Sequence, residues 1–167
     1  MAPPEPRLDE AAAALVAAGA RFVVIGGFAV IANRFVRATE DVDFLVPDDP
    51  DNDRRVLAAL RELDGVRMRD TAPLLDEHLM GQTHLRALTR AGIIDVMRGG
   101  LPPLDFDTVA SEAMVAAYDG LDFPVAGLRS IVGFKRLAGR PRDRNDLLGL
   151  EEIHGDLPDD QLPGLED

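Results

Sequence analysis

The apolar positions of the chain fall into two rhythms, one of period two and one of helical period. Residues 21–25, Arg-Phe-Val-Val-Ile, are aromatic and β-branched and stop at Gly26, which predicts a buried strand. Gly26-Gly27 then opens a short helix predicted over residues 28–35. A second strand is expected over 41–46, ended by the turn Pro47-Asp-Asp-Pro50. Residues 54–63 put Val56, Leu57, Leu60 and Leu63 on one helical stripe, with Asp51 or Asp53 as the expected cap and Gly65 as the stop. Residues 66–68 read as a short edge strand. In 83–89, His84 and Arg86 alternate with Leu85 and Ala87, and 93–97 is rich in β-branched residues. With Ala91-Gly92 between them, these two strands predict a hairpin. A second hairpin is expected where 115–118 and 123–126 flank Asp119-Gly120. Further helices are expected over 8–18 (closed by Gly19), 128–137 (closed by Gly139), and from a cap at Asp143 to about Ile153, while 106–113 reads as a short helix or turn. Residues 71–81 fit a loop or a helical turn equally well. The first seven residues read as a loose, proline-rich start, and 155–167 as an acidic tail.

These elements predict one α/β domain over residues 1–154. A small mixed sheet flanked by helices occupies about 20–126, and a short helical carboxy-terminal region occupies about 127–154. No internal repeat or low-complexity linker divides the chain.

The chemistry concentrates where the first two strands meet. Asp41 and Asp43 are two apart in a strand, so both carboxylates share a face. Two like charges beside the apolar residues 44–46 repel, and burial raises the cost. A divalent cation is the usual relief, and Mg²⁺ favours carboxylate oxygen. Gly26 and Gly27 put bare backbone N–H groups within reach of a phosphate; they also suit a tight strand-to-helix turn, and both readings stand together. Asp95 interrupts an otherwise apolar strand, so it either faces solvent at a strand end or is held by a partner. Arg37 is placed to touch phosphate or to pair with a carboxylate. His78, His84 and His154 lack metal-ligand spacing and read as ordinary surface or packing residues. No Gly-x-Gly-x-x-Gly follows the first strand, which argues against a dinucleotide-binding domain.

Composition narrows the classes. The chain has 167 residues and a net charge of −12, which argues against broad, non-specific binding to nucleic acid. Without cysteine there is no disulfide or thiolate chemistry. There is no run of about 18 apolar residues and no basic-then-apolar leader at the start, so a cytoplasmic enzyme without a membrane span is expected. Of the 18 basic residues only Lys135 is lysine.

The run Ile25-Gly26-Gly27, thirteen residues, then Asp41-Val42-Asp43, resembles the signature of the DNA polymerase beta-like nucleotidyltransferase superfamily. The lead-in Arg37-x-Thr39-x-Asp41 resembles its bacterial subgroup of toxin-type and abortive-infection-type members. The Gly-Gly form lacks the serine that other members use on the phosphate. The resemblance covers about residues 20–150 and implies a nucleotidyltransferase core with Mg²⁺ as cofactor. It implies transfer of a nucleoside monophosphate from a nucleoside triphosphate to a hydroxyl of RNA (such as tRNA), of a protein or of an antibiotic. A toxin paired with an antitoxin protein is among the implied roles. So is a non-catalytic nucleotide- or partner-binding module on the same fold, against which the presence of three carboxylates argues. The implied metal ligands and catalytic residues are Asp41, Asp43 and Asp95, with Asp95 also taking the proton of the attacking hydroxyl. The implied nucleotide-binding residues are Gly26, Gly27, Arg37, Thr39 and Lys135. Lys135 would hold triphosphate as a point charge, so Lys135→Ala is expected to weaken nucleotide binding and leave folding unchanged. Asp143 fits a helix cap or a catalytic residue, and Asp146 fits a residue that orients Lys135 or Arg140.

Overall fold

In the computed structural model, residues 2–162, 164 and 165 are described; Met1 and parts of the predicted tail, residues 163, 166 and 167, lie outside them. Seven strands form one mixed sheet: β1 (Val23–Ile25), β2 (Asp41–Val46), β3 (Val66–Arg67), β4 (His84–Thr89), β5 (Gly92–Arg98), β6 (Met114–Tyr118) and β7 (Leu121–Val125). Their order across the sheet is β3-β4-β5-β2-β1-β7-β6. The expected hairpins are β4–β5 and β6–β7, both antiparallel, and β3 is an edge strand as read from the sequence. What joins them is long-range: β2 runs parallel to β5, and β1 lies antiparallel to β2 and parallel to β7. Six α-helices accompany the sheet among the described residues: α1 (Leu8–Ala17), α2 (Gly26–Ala32), α3 (Pro50–Glu62), α4 (Phe106–Ser111), α5 (Leu128–Ala138) and α6 (Pro141–His154). This is the predicted α/β class.

Alternation along the strands separates the two faces of the central sheet. Val42 and Phe44 of β2, Leu85 and Ala87 of β4, and Ile94 and Val96 of β5 are buried in the core. Phe44 meets Phe22 edge to face, with ring centroids 5.3 Å apart. The opposite face carries the residues between these: Asp41, Asp43, His84, Arg86 and Asp95. The far end of β5 is fastened to α3 by Arg98, whose guanidinium donates to both oxygens of the fully buried Asp53 at 2.9 and 2.7 Å.

Several boundaries differ from the sequence reading, each for a local reason. Strand β1 is three residues, because the Arg21 backbone is satisfied by the Asn52 side chain: Arg21 N–H donates to Asn52 Oδ1 and Asn52 Nδ2 donates back to the Arg21 carbonyl. Helix α3 starts at Pro50 rather than 54, and its cap is Asp49, not Asp51 or Asp53; proline suits the first helical position and Asp49 accepts from Asp51 N–H. Helix α2 opens on Gly26 itself and stops at Ala32. Asp143 is three residues inside α6 rather than its cap, accepting from the Arg140 backbone N–H. The segment after α6 docks on α5: Arg129 donates to Asp160, Arg136 donates to the Pro158 carbonyl, and Leu162 is buried.

Candidate active site

The register of three adjacent strands assembles the site. Asp43 on β2 stands beside Asp95 on β5, and Asp95 stands opposite Arg86 on β4. Asp41, two residues before Asp43, shares their face. One oxygen from each of Asp41, Asp43 and Asp95 lies within 4.8 Å of the other two. The three carboxylates expected from the sequence therefore converge.

Burial and mutual repulsion govern their charge. Burial pushes the Asp43 carboxyl up to about 7, and the neighbouring charges of Asp41 and Asp95 add to the rise, against the pull of Lys135. Burial also raises Asp95, against the pull of Arg86 and His84. A set of carboxylate oxygens with one carboxyl held far above its usual range is short of positive charge. Hard oxygen donors in that state fit Mg²⁺, for which Asp41, Asp43 and Asp95 are the candidate ligands.

Gly26 and Gly27 matter here because nothing larger fits. Gly26 has φ +67°, and a Cβ on it would stand 2.1 Å from Asp43 Oδ2. A Cβ on Gly27 would stand 2.5 Å from Thr39 Oγ1 and 3.1 Å from an Arg37 guanidinium nitrogen. The Gly-Gly pair thus lets β2 and the residues before it close onto the start of α2. Thr39 donates its hydroxyl to the Asp41 carbonyl at 3.1 Å and so stiffens the entry to β2.

A ladder of paired charges forms the other wall. Arg37 is bidentate on Asp146, at 2.6 and 2.9 Å. Lys135 Nζ lies 3.0 Å from Asp146 Oδ2 and 3.0 Å from Asp143 Oδ1. Arg140 closes the ladder on Asp143 at 2.7 Å. Burial opposes ionisation of Asp143, but the hydrogen bonds from Arg140 and Lys135 outweigh it and hold the carboxyl down at about 2. Of the two readings open for Arg37, pairing with a carboxylate is the one the structure shows. Asp146 orients both Arg37 and Lys135. Lys135 is buried and paired twice, so it also carries part of the packing. Between the acidic wall and this ladder is a cavity of about 280 Å³, lined by Gly26, Gly27, Thr39, the three aspartates, Phe134 and Arg142 among others.

Two residues in the site were not singled out from the sequence. His84, read from the sequence as a surface or packing residue, has a half-exposed side chain whose Nε2 lies 2.9 Å from Asp95 Oδ1. Arg86 Nη1 lies 2.7 Å from Asp95 Oδ2. The signal was present: both occupy the polar phase of β4, and the hairpin with β5 puts that phase on the Asp95 face. His78 accepts from the Leu75 N–H and His154 bonds the Asn33 carbonyl, as packing residues do.

The architecture has known counterparts. The crystal structure of ANT(2'')-Ia in complex with adenylyl-2''-tobramycin superposes with a TM-score of 0.59 at 14% identity, over 87% of this chain and 86% of that one. The solution structure of the same antibiotic-resistance factor gives 0.61 at 14% identity, over 87% and 81%. The chain shares its α/β fold with that protein. An antigenic nucleotidyltransferase-like protein from Paracoccidioides brasiliensis gives 0.56 at 15% identity, over 90% and 78%. At these identities the likeness is one of fold. Neither a family model nor a curated protein matches the chain in sequence. Among the described residues, no helix is long and apolar enough to cross a membrane.

Proposed function

We propose that this protein is a Mg²⁺-dependent nucleotidyltransferase that moves a nucleoside monophosphate from a nucleoside triphosphate to a hydroxyl acceptor. The observation that carries the reading is the convergence of Asp41, Asp43 and Asp95 on one sheet face, short of counter-charge and facing a cavity lined by Gly26 and Gly27. The fold shared with ANT(2'')-Ia supports it. A cation on the three carboxylates supplies charge neutralisation at the phosphates. Gly26 and Gly27 line the cavity at the start of α2 and would offer backbone N–H groups to the triphosphate. Lys135, aimed by Asp143 and Asp146, and Arg37, aimed by Asp146, place positive charge on the wall opposite the aspartates. Thr39 fixes the strand entry on which Asp41 depends. The acceptor oxygen attacks the α-phosphorus, the bond to the pyrophosphate oxygen breaks, and pyrophosphate leaves. The hydroxyl proton passes to the Asp95 carboxylate. Positioning and charge placement carry most of the rate in such transfers.

Among the implied acceptors, a small hydroxyl compound has the support of the ANT(2'')-Ia complex, which holds an adenylylated antibiotic. Transfer to tRNA or to a protein, and pairing with an antitoxin, are further readings that rest on the sequence resemblance alone. The test is incubation of the purified protein with α-labelled nucleoside triphosphates, Mg²⁺ and, separately, tobramycin, total RNA and cell lysate. Label should pass to one acceptor class, with pyrophosphate released, and Asp41→Ala and Asp43→Ala should abolish it. A folded wild type that binds no triphosphate with Mg²⁺ sinks the enzyme reading and leaves a partner-binding module.

A further inference from the structure

The acidic site already contains one cation of its own. Arg86 Nη1 lies 2.7 Å from Asp95 Oδ2 and 3.5 Å from Asp41 Oδ2, so a single guanidinium nitrogen sits between two of the three carboxylates. His84 holds the other oxygen of Asp95 at 2.9 Å. Register brings these groups together: Arg86 is the cross-strand partner of Asp95, and Asp95 lies between it and β2. Arginine keeps its charge across the whole working range of pH and cannot coordinate a metal ion. Three carboxylates and one guanidinium leave two negative charges, the charge of one divalent cation.

We infer that Arg86 fills the place of a second metal ion, so that the site takes one divalent cation rather than two. This rests on the metal-dependent reading proposed above. A two-ion site needs carboxylate oxygens that bridge both ions. Here the Asp95 and Asp41 oxygens on the β4 side face a fixed positive charge, and a second cation there would meet repulsion instead of ligands. The guanidinium supplies neutralisation at that edge and has further N–H donors left for an acceptor or a phosphate. Its side chain is 43% exposed and reaches the site from the sheet surface. Arg86 and His84 line both the nucleotide cavity and an adjoining groove of about 520 Å³. Arg86 thus stands where an acceptor entering by that groove would reach the reacting phosphate.

The experiment counts ions. Mn²⁺ is titrated into the full chain with a non-hydrolysable triphosphate analogue, and bound Mn²⁺ is measured by electron paramagnetic resonance. Wild type should bind one Mn²⁺ per chain. Arg86→Met keeps the stem, removes the charge and should bind two, while Arg86→Lys should return the count to one. Thermal melts of each variant establish that it is folded. Two ions in the wild type overturn the inference, and so does a count that stays at one in folded Arg86→Met. If Arg86→Met does not fold, Arg86→Gln takes its place with the same expected count. A wild type that binds the analogue but no Mn²⁺ removes both this inference and the metal dependence. A wild type that binds neither removes the transferase reading as a whole.

Discussion

Replacing Asp43 by asparagine should make the metal-free protein more stable at neutral pH, although it destroys the site. The folded Asp43 carboxyl sits at about 7 against 3.8 for a free aspartate, mainly through burial and secondarily through Asp41 and Asp95. The folded chain therefore keeps a proton that the unfolded chain releases. Stability from this group is complete below pH 3.8 and is lost as pH rises toward 7, after which it is flat. The shift spans about three pH units, and each unit is worth about 1.4 kcal/mol, so the penalty above pH 7 is at most about 4 kcal/mol. An amide of the same shape carries no charge and can donate to Asp41, so about 2–4 kcal/mol of the penalty should disappear. Urea unfolding followed by circular dichroism in EDTA measures it. Asp43→Asn should exceed wild type by that margin at pH 8 and by under about 1 kcal/mol near pH 4. Mg²⁺ at pH 8 should stabilise wild type and leave the variant where it was. Equal stabilities at pH 8 in EDTA would refute the claim that this site is short of positive charge.

Other residues give sharper structural tests. Gly26→Ala puts a Cβ 2.1 Å from Asp43 Oδ2 at a residue with positive φ, so it should cost several kcal/mol (about 2–4) and abolish Mg²⁺-dependent stabilisation; a normal urea midpoint would contradict the close approach. Lys135→Ala leaves buried Asp143 and Asp146 one partner short, so it should destabilise by about 3 kcal/mol as well as weaken nucleotide binding; an unchanged melting curve would restore the simpler expectation of a binding role alone. Arg98→Met should cost about 3–5 kcal/mol by stranding the buried Asp53, and adding Asp53→Leu should recover most of it; additive losses in a double-mutant cycle would show that the pair does not act as a unit.

Local patterns carried the elements and the acids, because a strand's period of two and a turn's glycine are written within a few residues. Asp41 and Asp43 share a face by spacing alone, and the hairpin around Ala91-Gly92 was readable from its flanks. The parallel pairing of β2 with β5, which brings Asp95 to Asp43, is a long-range fact that came from the resemblance and not from any local signal. His84 and Arg86 were visible as polar alternation, but their meaning depended on which face of β5 held Asp95. The charge ladder was the least legible part. Arg37 and Asp146 are 109 residues apart, and nothing in either neighbourhood says that a surface-type residue will be buried against the other. The cap of α3 was misplaced because three nearby aspartates compete for it, and Asp53 is taken by Arg98.

The ladder from Arg37 through Asp146, Lys135 and Asp143 to Arg140 ties the segment between α2 and β2 to both carboxy-terminal helices. In terms of local opening, these three pieces form one cooperative unit: none can leave without exposing a charge that the others hold. Amide hydrogens of α6 should therefore exchange in step with those of residues 33–40, far away in sequence, and not with those of the β6–β7 hairpin. A ligand bound between the ladder and the aspartates would slow both together, so exchange in α6 would report occupancy of a site whose acids it does not itself supply.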